Sequence, residues 1–142
     1  MSWRDRWIGM AEHVATWSKD PSTKVGAVIV DDHQRLLSIG WNGFPRGVAD
    51  DGRLHDRPVK YSLTVHAEMN AIYNAGLNGV PLFGSTLYVS GLPVCSDCAK
   101  GVIQSGVKHV VMRADLMAEK WAKSFELTSE MFCEAGVTYE FV

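Results

Sequence analysis

The stretch VSGLPVCSDCAKGVIQSG, residues 89–106, joins an apolar run to a short helical pattern and carries Cys95 and Cys98 at the junction. Two thiols at this spacing are typical of either a redox pair or part of a metal site. A structural zinc site usually has four protein ligands, so two cysteines alone would leave such a site incomplete. Any further ligands must come from elsewhere in the chain.

The cysteine count favours the metal interpretation over a disulfide framework. The chain has three cysteines, an odd number, and its charged first residues do not resemble a secretion signal. A thioredoxin-like arrangement of strands, which a redox pair would need, is not indicated. The third cysteine, Cys133, lies in a helical pattern beside Phe132 and is expected to be a buried, inert thiol.

The composition predicts one enzyme-like domain over residues 1–142. Of 142 residues, 46% are hydrophobic and 21% are charged, which is the ordinary globular range. The formal net charge of −2 supplies no broad basic field for nucleic acid. No apolar run is long enough to span a bilayer. We therefore expect a cytoplasmic protein that acts on small molecules, with no nucleic-acid or membrane partner.

Capping signals and periodicity predict alternating helices and strands. Ser2 and Asp5 form a potential capping box at the start of a first helix. Two β-rich runs at residues 25–30 and 36–41, separated by a polar turn, predict a hairpin. Residues 42–60 are rich in glycine, proline and charge, and they predict a long binding loop.

The second half of the chain continues the alternation. Thr64 is in position to cap a helix that runs to about Ala75. Further elements follow, with strands at residues 85–90, 108–112 and 137–142 and helices at residues 96–105 and 118–135. The predicted fold class is α/β, a three-layer α/β/α sandwich around a five-stranded mixed sheet. The first two strands are expected to be antiparallel and the rest parallel.

His66, in the segment TVHAEMNAI, is the best partner for Cys95 and Cys98. One histidine and two cysteines make three zinc ligands and leave a fourth position open, as in catalytic zinc sites. On a regular helix Glu68 would point roughly 200° away from His66, so His66 must lie in an irregular first turn. A carboxylate beside the metal could then accept a proton from water and donate it as a general acid.

These residues match a signature known from zinc deaminases, H-x-E followed by P-C-x-x-C. The sequence resembles the cytidine deaminase superfamily and, within it, the deoxycytidylate (dCMP) deaminase branch. The resemblance covers nearly the whole chain and rests on four segments, SKDPSTKVGAVIV at 18–30, GWNGFPRG at 40–47, HAEMNAI at 66–72 and CSDCAKGVIQSG at 95–106. The NGFPRG loop directs the assignment to the dCMP branch. One departure is Val94, which stands between Pro93 and Cys95 where the family has them adjacent.

The resemblance implies a cytidine deaminase-like fold and the hydrolytic deamination of dCMP to dUMP and ammonia, supplying dUMP for dTMP synthesis. It implies one catalytic Zn²⁺ per subunit, held by His66, Cys95 and Cys98, because no cysteine precedes Cys95 to form a second site. Glu68 would be the catalytic residue that moves protons. The resemblance also implies four substrate contacts, which are Lys24, Asn42, Ala67 and Trp121. Asn42 would contact the deoxyribose, and Trp121 would cover the bound ligand. Candidates for the 5′-phosphate are Lys24, Arg46, Arg113 and Lys120.

Members of this branch are commonly hexamers that dCTP activates and dTTP inhibits at an interface site. We therefore expect a homo-oligomer, with a hexamer as the preferred assembly, and Mg²⁺ accompanying the triphosphate effector. If the site carries over, its contacts are Asn42, Gly43, Phe44, Arg46 and Gly47.

Two other functions remain open at this stage. A deaminase of free cytidine or of a base in RNA would share the zinc site but would not need a pocket for a 5′-monophosphate. A catalytically silent, zinc-stabilised nucleotide sensor would use the residues 40–47 loop, but a structural zinc would not require Glu68. Comparing dCMP with deoxycytidine as substrates, and replacing Glu68 by Gln, would distinguish the three.

Overall fold

The computed structural model describes residues 1–114 and 119–142 of the chain. In these residues the helices are α1 (Trp3–Ala15), α2 (Arg57–Leu63), α3 (Ala67–Leu77), α4 (Ser96–Gln104) and α5 (Glu119–Ala135). The strands are β1 (Gly26–Val30), β2 (Leu36–Trp41), β3 (Thr86–Gly91), β4 (His109–Ala114) and β5 (Thr138–Phe141). None of the helices in this described part of the chain is both long and apolar enough to cross a membrane.

The strands form one five-stranded sheet in the order β2-β1-β3-β4-β5. β1 is antiparallel to both of its neighbours, β2 and β3. β3, β4 and β5 run parallel to one another, with α4 and α5 as the crossover helices. The predicted hairpin and the mixed sheet are confirmed.

Helices cover both faces of the sheet, as the sandwich prediction requires. α1 lies on one face, where Ile8 and Val14 belong to a buried cluster with Val28 of β1. α3, α4 and α5 lie on the other face, where Ala71 and Phe132 belong to a larger buried cluster with the opposite sides of the strands. The larger cluster lies beneath the starts of α3 and α4, where the predicted site residues are found.

Two glycines allow helices to lie directly on the sheet. A Cβ atom on Gly26 of β1 would lie 2.5 Å from the backbone nitrogen of Ala15 in α1. A Cβ atom on Gly40 of β2 would lie 2.5 Å from the carbonyl oxygen of Ala67 in α3. Since these neighbours are backbone atoms, any larger residue would force the helix away from the strand. Gly40 therefore determines where the first turn of α3 lies.

The residues predicted to form a long loop contain two short helical segments. A 3₁₀ turn spans Gly52–His55, and α2 begins immediately afterwards. Pro58 lies in the first turn of α2, where its missing N–H is not needed, so this proline does not exclude a helix. The prediction for Thr64 was wrong, because this residue ends α2 and its Oγ1 donates to the carbonyl oxygen of Lys60 at 2.7 Å.

The prediction for Cys133 was also wrong, since this thiol is exposed. Its neighbour Phe132 has none of its surface exposed and fills the core below α5. Successive residues on an α-helix point about 100° apart, so a buried Phe132 turns the next side chain away from the core.

Candidate metal and catalytic site

His66 lies at the irregular start of α3, as the spacing to Glu68 requires. It is the N-cap residue of the helix, with an extended backbone at φ −69° and ψ 153°. Glu68 lies in the first turn of the same helix. The extended backbone at the N-cap allows both side chains to line the same cavity.

Cys95 and Cys98 lie at the start of α4, directly opposite His66. Cys95 is the N-cap residue, and its Sγ accepts a hydrogen bond from the backbone N–H of Cys98 at 3.5 Å. His66 Nδ1 lies 3.2 Å from Cys98 Sγ and 3.4 Å from Cys95 Sγ. The fold therefore brings together the three residues that the sequence predicted as metal ligands.

The extra residue before Cys95 is accommodated inside the protein. The Val94 side chain has no exposed surface and belongs to the larger core cluster. Its carbonyl oxygen accepts a hydrogen bond from Thr128 Oγ1 at 2.9 Å. The residue between Pro93 and Cys95 is thus fully packed and its backbone carbonyl is paired.

Contacts within the cluster shift the pKa values of its members. Hydrogen bonding with Cys98 lowers the pKa of the Cys95 thiol to about 4, in spite of burial. The same hydrogen bond, together with burial, raises the pKa of the Cys98 thiol. The hydrogen bond with Cys95 raises the pKa of His66 to about 8. The pair therefore contains a thiolate, which is the form of cysteine that binds metals.

The donor atoms of His66, Cys95 and Cys98 suit a zinc ion. One imidazole nitrogen and two sulfurs all lie within 4.8 Å of one another. Zinc binds these atoms at about 2.0–2.3 Å in a tetrahedron, so atoms around one ion would lie at such separations. Three protein ligands leave the fourth position for water or substrate. These residues could therefore hold a catalytic zinc.

Glu68 is a buried carboxylic acid in the wall of the same cavity. Only 4% of its surface is exposed. Burial raises the pKa of this carboxyl to about 7. A carboxyl group with a pKa near neutrality can both accept and donate a proton at physiological pH, as general acid–base catalysis requires.

The cavity beside this cluster has a volume of about 550 Å³. This volume falls within the range of small-molecule sites. Ala67 and Trp121, two of the predicted substrate contacts, lie in its wall. The other lining residues are Asp20, Ser22, Thr23, Val25, Asn42, Arg57, Lys60, Tyr61, Thr64, His66, Glu68, Leu92, Pro93 and Cys95.

Asn42, the third predicted substrate contact in this wall, is held by two hydrogen bonds. Its Oδ1 accepts from the backbone N–H of Val25 at 2.8 Å, and its Nδ2 donates to the carbonyl oxygen of Thr23 at 2.9 Å. Only 7% of its surface is exposed. Its amide orientation is therefore determined by the adjacent loop.

The cations in the cavity wall are not the ones that the sequence suggested. Arg57 and Lys60, both from α2, line the cavity. Lys24 is not a lining residue and donates to the carbonyl oxygen of Ser18. Sequence reasoning missed Arg57 and Lys60 because it treated residues 42–60 as a loop. The available signal was Pro58 followed by a short helical pattern, which brings positions 57, 60 and 61 onto one side of a helix.

Two other candidate phosphate ligands, Arg113 and Arg46, also lie away from this cavity. Arg113 on β4 pairs with Glu12 of α1, on the other face of the sheet. Arg46 lines a second cavity and donates to Asn74 Oδ1. The side chain of Lys120 lies outside the described residues.

The loop predicted to bind effectors forms part of the second cavity, which has a volume of about 780 Å³. Gly43, Phe44 and Arg46 lie in its wall, opposite residues of α3. Asn42 lines the first cavity instead, and Gly47 is not a lining residue of either. Gly43 is linked to Val65 by two backbone hydrogen bonds, which join this loop to the segment before His66.

Comparison with known proteins agrees with this arrangement. The family model described as the cytidine and deoxycytidylate deaminase zinc-binding region matches residues 1–114. An uncharacterized deaminase of Aliivibrio fischeri is 41% identical over 95% of this chain and 90% of its own length. Human deoxycytidylate deaminase is 37% identical over 98% of this chain and 79% of its own length.

A solved structure has the same fold over almost the whole chain. The dCMP deaminase of the cyanophage S-TIM5, in complex with dCMP and dUMP, superposes with a TM-score of 0.78 at 26% identity. The match covers 98% of this chain and 96% of that one. Together with the family match, this establishes that the chain belongs to the cytidine and deoxycytidylate deaminase family.

Proposed function

We propose that this enzyme hydrolyses dCMP to dUMP and ammonia. One observation carries the proposal. The cluster of His66, Cys95 and Cys98 lies beside the cavity whose wall contains the buried carboxyl group of Glu68. The named activity of the human relative and the nucleotides bound in the cyanophage structure support dCMP as the substrate. The product dUMP would supply dTMP synthesis.

The proposed cofactor is one Zn²⁺ per subunit, held by His66 Nδ1 and by the Sγ atoms of Cys95 and Cys98. When bound in a site with one open position, zinc lowers the pKa of water and so supplies a nucleophile at neutral pH. Cys95 and Cys98 both lie at the N-terminus of α4, where backbone N–H groups favour a thiolate.

Glu68 is the proposed catalytic residue. Its carboxylate accepts a proton from the attacking water and donates it to N3 of the cytosine ring as the C–O bond forms at C4. It then accepts the proton of the new C4 hydroxyl and donates it to the amine, so that the C4 carbonyl of dUMP forms, the C–N bond breaks and ammonia leaves while the first proton stays on N3. The raised pKa of the Glu68 carboxyl, about 7, supports this exchange because neither proton transfer is then strongly unfavourable.

The remaining walls of the cavity are assigned to the nucleotide. Ala67 lies beside the base, Asn42 beside the deoxyribose, and Trp121 covers the ligand. Arg57 and Lys60 replace the cations suggested by the sequence as ligands of the 5′-phosphate, since both line the cavity that holds Glu68. Two cations and the phenol of Tyr61 provide the donors that a phosphate group requires.

The second cavity is the proposed site of regulation, where dCTP would activate the enzyme and dTTP would inhibit it. The presence of Gly43, Phe44 and Arg46 in its wall supports this role. No carboxylate is found among the described residues that line it. Any Mg²⁺ at this site would therefore be carried by the oxygens of the triphosphate.

A homohexamer is the proposed assembly. Trp17, Trp41 and Leu77 are exposed apolar side chains near the free edge of β2, where contacts with a second copy would cover them. Sedimentation of the purified enzyme, with and without dCTP, measures the size of the assembly. A monomer under both conditions would contradict this part of the proposal.

The experiment that tests the proposed substrate is ammonia release from dCMP, CMP and deoxycytidine in parallel. Rapid turnover of dCMP alone, raised by dCTP and reduced by dTTP, is the expected result. Equal turnover of deoxycytidine would favour a nucleoside deaminase instead. Loss of both nucleotide effects in Arg46→Ala, with basal turnover unchanged, would assign the second cavity to the effectors.

A further inference from the structure

α5 contacts the loop that carries Cys95 through two hydroxyl groups. Thr128 Oγ1 donates to the carbonyl oxygen of Val94 at 2.9 Å. Ser124 Oγ accepts from the backbone N–H of Ser96 at 3.1 Å. The two hydrogen bonds therefore reach the residues immediately before and after Cys95.

The two hydroxyls belong to one face of α5. Ser124 and Thr128 are four residues apart, so their side chains are neighbours on the helix surface. Thr128 has no exposed surface, and the same is true of Val94. The hydroxyl of Thr128 also lies 3.3 Å from the carbonyl oxygen of Ser124, but its contact with Val94 is the shorter.

Both hydrogen bonds satisfy groups that the cysteine loop leaves without a partner of its own. The N–H of Ser96 is one of the first N–H groups of α4, which have no acceptor within the helix. Val94 has no exposed surface, so its carbonyl oxygen would be costly to leave without a partner. Fixing these two groups fixes the peptide planes on either side of Cys95.

The direction of a side chain follows from the backbone that carries it. Cys95 has an extended backbone at φ −76° and ψ 165°, and its Sγ points towards His66 Nδ1 at 3.4 Å. A rotation of either adjacent peptide plane would swing Sγ away from this position. α5 thus determines where the thiolate of Cys95 lies, although α5 itself supplies no ligand among its described residues.

We propose that Ser124 and Thr128 are positioning residues that preorganise Cys95 for the metal, so that α5 sets the metal affinity of a cluster on α3 and α4. The inference rests on the proposed function, in which Cys95 is a zinc ligand. Residues that orient metal ligands typically contribute about 10- to 100-fold to metal affinity.

The test compares four variants on the full chain. Thr128→Val removes the hydroxyl and keeps the shape of the side chain, whereas Thr128→Ser keeps the hydroxyl. Ser124→Ala removes the second hydrogen bond. Ser129→Ala is the matched control, because the Ser129 hydroxyl lies on the same helix but bonds to Tyr139 at 2.8 Å.

Zinc affinity is measured by competition with a chromophoric chelator, and ligand geometry by the absorption spectrum of the cobalt(II)-substituted protein. We expect Thr128→Val to weaken zinc binding by about 10- to 100-fold and to shift the cobalt bands. Ser124→Ala should change both readouts in the same direction, while Thr128→Ser and Ser129→Ala should retain wild-type values.

Wild-type zinc affinity and an unchanged cobalt spectrum in Thr128→Val would overturn the inference, even if its melting temperature fell. If Thr128→Val does not fold, Ser124→Ala decides the question by the same two readouts. Zinc bound to the wild type and lost in Cys95→Ser tests the ligand assignment separately. A wild-type protein that binds no zinc contradicts the proposed function. Equal zinc affinities in the wild type, Thr128→Val and Ser124→Ala contradict only the positioning role of Ser124 and Thr128.

Discussion

Lys60 Nζ lies 3.1 Å from Asp20 Oδ1, and both side chains are almost fully withdrawn from solvent. The pair joins α2 to the loop that follows α1, two segments 40 positions apart in sequence. Asp20 Oδ1 also accepts hydrogen bonds from the N–H groups of Ser22 and Thr23 at 2.8 Å and 3.0 Å. Because Asp20 and Lys60 both line the cavity, this ion pair determines part of the shape of the proposed nucleotide site.

Breaking this ion pair should destabilise the protein strongly. Lys60→Met leaves the Asp20 carboxylate buried with only its backbone donors, and we expect a loss of about 3 kcal/mol in the free energy of unfolding. Lys19→Met is the matched control, since Lys19 pairs with Asp50 at 2.9 Å on the surface. The control should change the free energy of unfolding by less than about 1 kcal/mol. The free energies of unfolding are measured by urea denaturation. Equal losses in Lys60→Met and Lys19→Met would contradict the claim that burial makes the Lys60–Asp20 pair important.

The Asp20 carboxylate should stabilise the fold at neutral pH and lose this effect in acid. Burial raises the pKa of Asp20, but the N–H groups of Thr23 and Ser22 and the ammonium of Lys60 together hold it below its ordinary value. A folded-state pKa below the unfolded value of about 3.9 gives stabilisation that is complete above that pH and declines below it. The difference in free energy of unfolding between wild type and Asp20→Asn should therefore shrink below about pH 4. If this difference in free energy of unfolding shrank as the pH rose, the result would contradict a lowered pKa of Asp20 in the folded state.

Gly40→Ala should move α3 and reduce turnover. The new methyl group would meet the backbone of Ala67 in the first turn of the helix that carries Glu68. We expect a loss of about 3 kcal/mol in the free energy of unfolding and a fall in kcat. The control is Gly9→Ala in α1, where nothing lies within 4 Å of the added methyl. Because alanine is the better helix former, that variant should gain about 0.5–1 kcal/mol, and a loss there would contradict the packing argument.

Removing Arg57 should weaken binding of the nucleotide phosphate. If the guanidinium pairs with the 5′-phosphate, Arg57→Ala should raise the KM for dCMP by about 10- to 100-fold, the value of a hydrogen bond to a charged group. Any residual turnover of deoxycytidine should not change, because that substrate has no phosphate. Arg53→Ala is the control, since Arg53 pairs with exposed Asp51 and does not line the cavity. An unchanged KM for dCMP in Arg57→Ala would contradict the proposal that Arg57 binds the 5′-phosphate.

Periodicity and residue chemistry were enough to predict the sheet, four of the five helices within the described residues and the convergence of His66, Cys95 and Cys98. These features depend on local pattern or on ligand type, both of which are visible in a sequence. α2 was missed because Pro58 suggested a loop, although proline is favoured in the first turn of a helix.

Long-range contacts could not be predicted in the same way. The partner of buried Lys60 and the acceptor of the Thr128 hydroxyl depend on how α2 and α5 pack against distant loops. The local sequence can indicate that Arg57 and Lys60 share one side of a short helix, but it does not show that this side lines a cavity. The structure places Lys24, Arg46 and Arg113 outside the wall of the cavity that contains Glu68, while the metal ligands were brought together as expected.

The measurement that tests the account most directly is dCMP turnover by wild type and by Glu68→Gln, with the zinc content of both preparations determined. Removal of the one carboxylate that exchanges protons should lower kcat by at least about 10²–10⁴-fold, the usual contribution of general acid–base catalysis. Zinc content should remain unchanged, because Glu68 is not among the proposed ligands. Full turnover by a zinc-loaded Glu68→Gln variant would contradict the central claim that this buried carboxyl performs the chemistry.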